Sequence, residues 1–211
     1  SLRRSHERPP IRKERRMSLW PATVVEGTTP QRRAGVQTVK MVISGAVNAG
    51  KTEFIKAISE IEVVSTERRA TDDTKLIKKE TTVAMDFGRI AIADDLVLHL
   101  FGTPGQKRFD FMWEILSEGM LGLVILVDST RPETFRETNR IIDFFVSYRD
   151  TPYVVAANKQ DKPNAWSPDE LRLALRLPPH VKVLPCVAAE RESVKQVLLE
   201  LLYVILQQSE E

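Results

Sequence analysis

The chain has 211 residues, 42% hydrophobic and 28% charged, which suits one compact domain with a modest extension and excludes collagen-like, coiled-coil and wholly disordered classes. Its formal net charge of +2 is unevenly spread: residues 1–40 hold ten Lys and Arg against three acids, net +7, and the other 171 residues carry −5. That pattern is a basic arm on a mildly acidic body rather than a basic nucleic-acid-binding domain.

Residues 1–37 contain Pro9, Pro10, Pro21, Pro30 and Gly27 and are expected to form an irregular or disordered extension. Three roles stay open for this arm: a solvated tail, a weak tether to anionic lipid, or a partner-docking segment. Aromatic interleaving is limited to Trp20, so no nucleic-acid partner is expected. Residues 38–211 are expected to form the one folded domain. From residue 39 onward short β-branched runs alternate with amphipathic stretches, the pattern of an α/β fold with a six-stranded, mostly parallel sheet and helices on both faces. The strands fall at 39–44, 82–91, 96–101, 123–128, 153–158 and 181–186, and Asp94-Asp95 makes the second and third a hairpin. Helices fit 51–60, 132–148, 168–175 and 192–207, with Pro132 and Pro168 in first turns. In the last helix Val194, Val197, Leu198, Leu201, Leu202 and Ile205 mark one face. No apolar run reaches the roughly 18 residues of a membrane span. No secretory leader or prenylation box is visible, and the single cysteine, Cys186, excludes an intramolecular disulfide and suits a reducing compartment, so a cytoplasmic location is expected.

Two motifs carry chemistry. Gly45-Ala46-Val47-Asn48-Ala49-Gly50-Lys51-Thr52 follows the first strand and opens the first helix, matching GxxxxGK[ST]. Such a loop turns backbone N–H groups inward around phosphate oxygens at a helix N-terminus, with Lys51 reaching the β- and γ-phosphates and Thr52 ligating Mg²⁺. Asn158-Lys159-Gln160-Asp161 ends a later strand and matches NKxD. The Asp161 carboxylate can accept both N–H groups of a guanine edge, whereas adenine presents the opposite pattern. Lys159 would lie over the base and Asn158 would tie loops together.

With these motifs in place the chain resembles the Ras-like small GTPase superfamily over residues 39–207. The stretches ETTVAMDFGRI and FGTPGQKRFDFMW are most similar to the prokaryotic GTPases grouped with the gliding-motility protein MglA and with actinobacterial conservons. The resemblance implies a P-loop G domain that binds GTP and GDP with Mg²⁺ as a molecular switch. It assigns Thr82, with Thr81 as the alternative, to the switch I threonine that senses the γ-phosphate through Mg²⁺. Gly105-Gln106 looks like the switch II pair, the glycine N–H meeting the γ-phosphate and Gln106 orienting the attacking water. Val187-Ala188-Ala189 sits where the family has its SAK loop, so the Ala188 N–H would face the guanine O6. One position departs from the pattern: Gly102 stands where the family's DxxG motif has its aspartate, which normally holds a water on Mg²⁺. MglA-like proteins also lack it.

Arg68 and Arg69 can be read as a charge source in cis or as solvated loop charges; on the second reading an outside partner completes the site, and the resemblance implies a roadblock/LC7-type regulator. His99 reads as a sheet-face residue, Cys186 as packing, and Phe109, Phe111, Met112 and Trp113 as half core and half docking surface. Two rivals stand beside a slow GTPase: a nucleotide-bound adapter that does not turn over, suggested by Gly102, and a small-molecule P-loop kinase, opposed by residues 158–161.

Overall fold

The computed structural model describes residues 36–65, 85–105, 111–148 and 151–209. The elements run β1 (Gln37–Ser44), α1 (Lys51–Ile58), β2 (Val64–Ser65), β3 (Asp86–Ala93), β4 (Leu96–Gly102), α2 (Phe111–Ser117), β5 (Gly122–Asp128), α3 (Phe135–Tyr148), β6 (Tyr153–Asn158), α4 (Pro168–Ala174), β7 (Lys182–Pro185) and α5 (Arg191–Ser209). All six expected strands are present, and the two-residue β2 extends the sheet at one edge, giving the order β2-β3-β4-β1-β5-β6-β7. β4, β1, β5, β6 and β7 pair in parallel, while β3 runs antiparallel to β2 and β4.

The central strands are apolar on both sides because helices cover both faces. On one face Met41, Ile43, Leu98, Leu100 and Leu126 pack against Phe54 and Ile55 of α1 and Val197 and Leu201 of α5. On the other, Val42, Ile125, Val127 and Val155 pack against Trp113 of α2, Ile141 and Phe145 of α3 and Leu171 of α4. Each such side chain, fully buried, stabilises the fold by about 1.5–3 kcal/mol relative to exposure. The face expected for the last helix is the one that is buried, at Val194, Val197, Leu198, Leu201 and Ile205.

Local chemistry sets the element ends. Pro132 opens a short 3-10 turn, Pro132–Thr134, ahead of α3, so the expected 132–148 helix has a tighter first turn. Ser167 caps α4 through a capping box with Glu170, with Pro168 in the first turn. β1 lies between β4 and β5; the chain leaves β1 toward the β2–β4 side and later crosses from β4 to β5 on the other, so the strand order reverses between β1 and β5, and their carboxyl ends are where such sheets bind ligands.

Candidate functional site

The phosphate-loop motif is folded as its glycines require. Gly45 (φ 151), Asn48 (φ 63) and Gly50 (φ 103) carry the chain from β1 into α1 through positive-φ positions, which Gly and Asn occupy at the least cost. A Cβ at Gly45 would lie 2.2 Å from the Leu126 carbonyl oxygen, and one at Gly50 would lie 2.4 Å from Asn158 Nδ2. Both glycines are therefore fixed by close approach as well as by φ. Lys51 is buried, and its Nζ donates to the carbonyls of Gly45 (2.7 Å) and Ala46 (2.8 Å). The ammonium is thus held at the loop, beside the N-terminal end of α1, where an anion is favoured.

Beside this loop lies a carboxylate that the motifs did not identify. The Thr52 hydroxyl donates to Asp86 Oδ2 at 2.5 Å. Asp86 opens β3 directly opposite Gly102 in the antiparallel register. A Cβ on Gly102 would lie 3.0 Å from Ile55 Cδ1 and 3.1 Å from Asp86 Cβ. The space next to Gly102 is occupied by Asp86, so a carboxylate from the neighbouring strand lies beside Thr52. The described residues contain no group of three or more His, Cys, Asp or Glu able to hold a metal by themselves. The Thr52 hydroxyl and Asp86 carboxylate are hard oxygen donors, a set that fits Mg²⁺ when phosphate oxygens and water complete the shell.

Gly105 lies against the same loop: a Cβ there would be 3.0 Å from Val47 Cα and 3.1 Å from Lys51 Nζ, which matches its implied place at the phosphate end. Ser44 Oγ and Thr103 Oγ1, both buried, bond at 2.9 Å and tie the end of β1 to the residue after β4. Thr81, Thr82, Gln106, Arg68, Arg69 and Phe109 fall outside the described residues.

At the base end, Asn158 joins three segments. Its Nδ2 donates to the Ala49 carbonyl at 2.7 Å, and its Oδ1 accepts the Ala188 N–H at 2.8 Å. The side chain is buried, so both bonds are needed to offset its desolvation. The expected tie between loops is present. The Ala188 N–H, expected to face the base, is the donor to Asn158 Oδ1. Val187 N–H is also engaged, by Ser193 Oγ at 2.8 Å, while Ala189 lies exposed in the turn.

Lys159 adopts a left-handed backbone (φ 67), and its Nζ reaches Asp128 Oδ2 at 2.5 Å. Asp161 is exposed and pairs with Lys162 at 2.7 Å, and the Lys162 hydrogen bond holds its carboxyl below the usual range. It is therefore an ionised acceptor at neutral pH. Cys186 is buried and its thiol is pushed up to about 11, chiefly by burial, so it packs and does not react. His99 sits on a sheet face, edge-on to Phe87, and burial followed by the nearby Arg89 lowers its pKa. Of the aromatic segment, Trp113 is buried and Phe111 exposed, the expected division.

The chain matches known proteins at three levels. The family described as "conserved hypothetical ATP binding protein" matches residues 60–208, a span that begins after the phosphate loop. An uncharacterized protein of Methanocaldococcus jannaschii is 33% identical over 123 residues, covering 58% of this chain and 71% of that protein. ADP-ribosylation factor-like protein 3 of Caenorhabditis elegans is 27% identical over 142 residues, covering 66% of this chain and 70% of its own length. The solved structure of the Arl6 BBS3 small GTPase from Trypanosoma brucei, with a bound nucleotide analogue, GppNp, superposes with a TM-score of 0.65 at 18% identity. It covers 82% of this chain and 99% of that one. The fold is that of a small GTPase, and the relatives support the Ras-like superfamily.

Proposed function

This chain belongs to the family of conserved hypothetical ATP-binding proteins, and we propose that it is a small GTPase, a molecular switch that binds GTP and GDP with Mg²⁺ and hydrolyses GTP slowly until a partner stimulates it. The observation that carries this reading is Asn158, whose one side chain bonds the phosphate loop at Ala49 and the turn at Ala188. It ties the two motifs of the sequence directly to each other at the carboxyl ends of the central strands. Asp161 favours guanine, because its ionised carboxylate accepts the ring and exocyclic N–H groups together, whereas adenine would set a ring lone pair against it. The solved small GTPase with its GppNp analogue and the Arf-like relatives support the same choice. The family description names ATP, but its match starts at residue 60.

Each residue then has a role. Lys51 and the N–H groups of residues 48–52 bind the phosphates. Thr52 and Asp86 would hold Mg²⁺, which supplies charge neutralisation between the β- and γ-phosphates. Gly105 approaches the γ-phosphate end, Gln106 orients the attacking water, and Thr82 reports the γ-phosphate. Positioning and charge stabilisation do most of the work in phosphoryl transfer, and a glutamine without an arginine finger gives slow turnover. We assign the missing stimulus to a roadblock/LC7-type regulator acting on the switch surface, where exposed Phe111 and Ile115 offer apolar contact. We place the chain, on its resemblance alone, with the MglA-like branch and in the cytoplasm, and give its basic arm at most a weak membrane association.

The rival reading, a nucleotide-bound adapter without turnover, takes its motive from Gly102, and the Asp86 carboxylate beside Thr52 supports the GTPase reading over it. Phosphate release from GTP, followed with Mg²⁺ or EDTA and with or without a roadblock-type protein, tests the proposal. Slow Mg²⁺-dependent release is expected, and the Gln106→Leu variant should be slower still. No release under any condition would leave a nucleotide-bound adapter.

A further inference from the structure

One buried acid near the site has no part in the function above. Asp128 ends β5, and its side chain is 1% exposed. Its Oδ1 accepts from the Thr130 N–H at 3.1 Å and the Thr130 hydroxyl at 2.7 Å, and its Oδ2 accepts from Lys159 Nζ. Burial works to raise this carboxyl, but the bonds from Lys159 and Thr130 outweigh it and keep it lowered and ionised.

The register decides where this pair lies. Asp128 is directly opposite Asn158 in the parallel β5–β6 ladder, and β5 stands between β6 and the phosphate-loop strand β1. Lys159, just past the end of β6, therefore reaches back to the carboxyl end of β5, with its ammonium held there by Asp128. The same turn braces the rest of the loop. Gln160 Nε2 donates to Ser129 Oγ at 3.1 Å and to the Trp166 carbonyl at 2.8 Å. Trp166 N–H donates to the Ser129 carbonyl at 2.8 Å, and the Trp166 ring stands edge-on to Phe135 at 5.3 Å.

A free lysine must lose rotamer freedom when a base settles against its stem, and a lysine already pinned at its tip has lost it beforehand. We propose that Asp128 is a positioning residue for base recognition, holding Lys159 across the end of β5 so that the nucleotide base meets a pre-set lysine stem. This rests on the nucleotide-site reading above but is not specific to guanine, since either purine can lie against the stem. A bland alternative is that Asp128 serves only its own turn through Thr130.

A double-mutant cycle on the full chain separates the two. Binding of fluorescent GDP and, in parallel, fluorescent ADP is measured for the unaltered chain, Asp128→Asn, Lys159→Met and the double variant, with circular dichroism to check folding. Asp128→Asn is expected to weaken binding of the preferred nucleotide about tenfold when Lys159 is present, and to add nothing in the Lys159→Met background. Asp128→Glu, which keeps the charge, should recover most of the loss. If Asp128→Asn does not fold, Asp128→Ser takes its place in the same cycle. Equal weakening in both backgrounds, or none in either, overturns the positioning role. Preference for ADP overturns the guanine reading while the cycle is still read with ADP, and failure to bind either nucleotide overturns both.

Discussion

The two ends of the site are built from the same materials but differ in how they keep to pattern. At the base end the residues that the motif names are the residues in place: Asn158 spans Ala49 and Ala188, and Asp161 stands ionised at the exposed edge. At the phosphate end the loop keeps its pattern, but the carboxylate beside Thr52 comes from β3 instead of from the end of β4. A base-reading carboxylate must sit at one place on one loop, because it faces a flat edge with fixed donors. A carboxylate that faces a metal shell needs only to reach that shell, and two adjacent strands can both do so. The comparison teaches that a carboxylate can reach the same place beside Thr52 from either of two paired strands.

The largest expected effect breaks the link between the two ends. Gly50→Val places a side chain where Asn158 Nδ2 lies 2.4 Å from the Cβ position, at a φ of 103. It should cost about 3 kcal/mol or more of stability, and thermal unfolding with GDP titration should show folding and binding failing together. Next is the base end alone. Asp161→Ala is exposed and should leave the melting temperature unchanged while weakening GDP binding roughly 10- to 100-fold, with ATP binding unaffected. Retained selectivity for guanine would assign base choice to another residue.

The phosphate end gives a smaller and more informative effect. Asp86→Asn should speed nucleotide release in Mg²⁺ about tenfold, and EDTA should erase the difference between the variant and the unaltered chain. Gly102→Asp alone should destabilise by about 1–3 kcal/mol, since it crowds Ile55 and Asp86 and sets two carboxylates side by side. Combining it with Asp86→Ala should recover part of the Mg²⁺ dependence by restoring the carboxylate to the other strand. If the double variant behaves like Asp86→Ala alone, the two positions are not interchangeable.

The smallest effect is on pH dependence. The carboxyl of Asp128 is lowered from 3.8, so the unfolded chain binds its proton more readily than the folded one. Its stabilising contribution is full above the ordinary value and is lost as pH falls through the lower folded value. The stability gap between the unaltered chain and Asp128→Asn, followed by urea unfolding, should be constant near neutral pH and close only in that acid range.

Much of this architecture was legible in the sequence because the local signals are strong. The β-branched runs and the buried stripe on α5 follow directly from hydrophobic period, and both glycines of the phosphate loop sit where φ demands them. Asp86 was not legible, for a physical reason. Counting evenly outward from the Asp94-Asp95 turn sets residue 102 opposite residue 87, and the irregularity between Ala91 and Ala93 shifts the ladder by one. Only that shift brings Asp86, and not Phe87, to the Gly102 position and turns it toward Thr52. Asp128 was missed because a strand-ending acid reads as a turn former, and its lysine partner lies 31 residues away in the chain. The bond from the Ala188 N–H to Asn158 Oδ1 joins residues 30 apart in the chain, which no spacing rule predicts.

The central claim is that both ends serve one guanine nucleotide. It is tested most directly by displacing labelled GDP from the full chain with unlabelled GTP or ATP, in Mg²⁺ and in EDTA. Displacement by GTP but not by ATP, with tighter binding in Mg²⁺, is the predicted result. Displacement by ATP as readily as by GTP would contradict it.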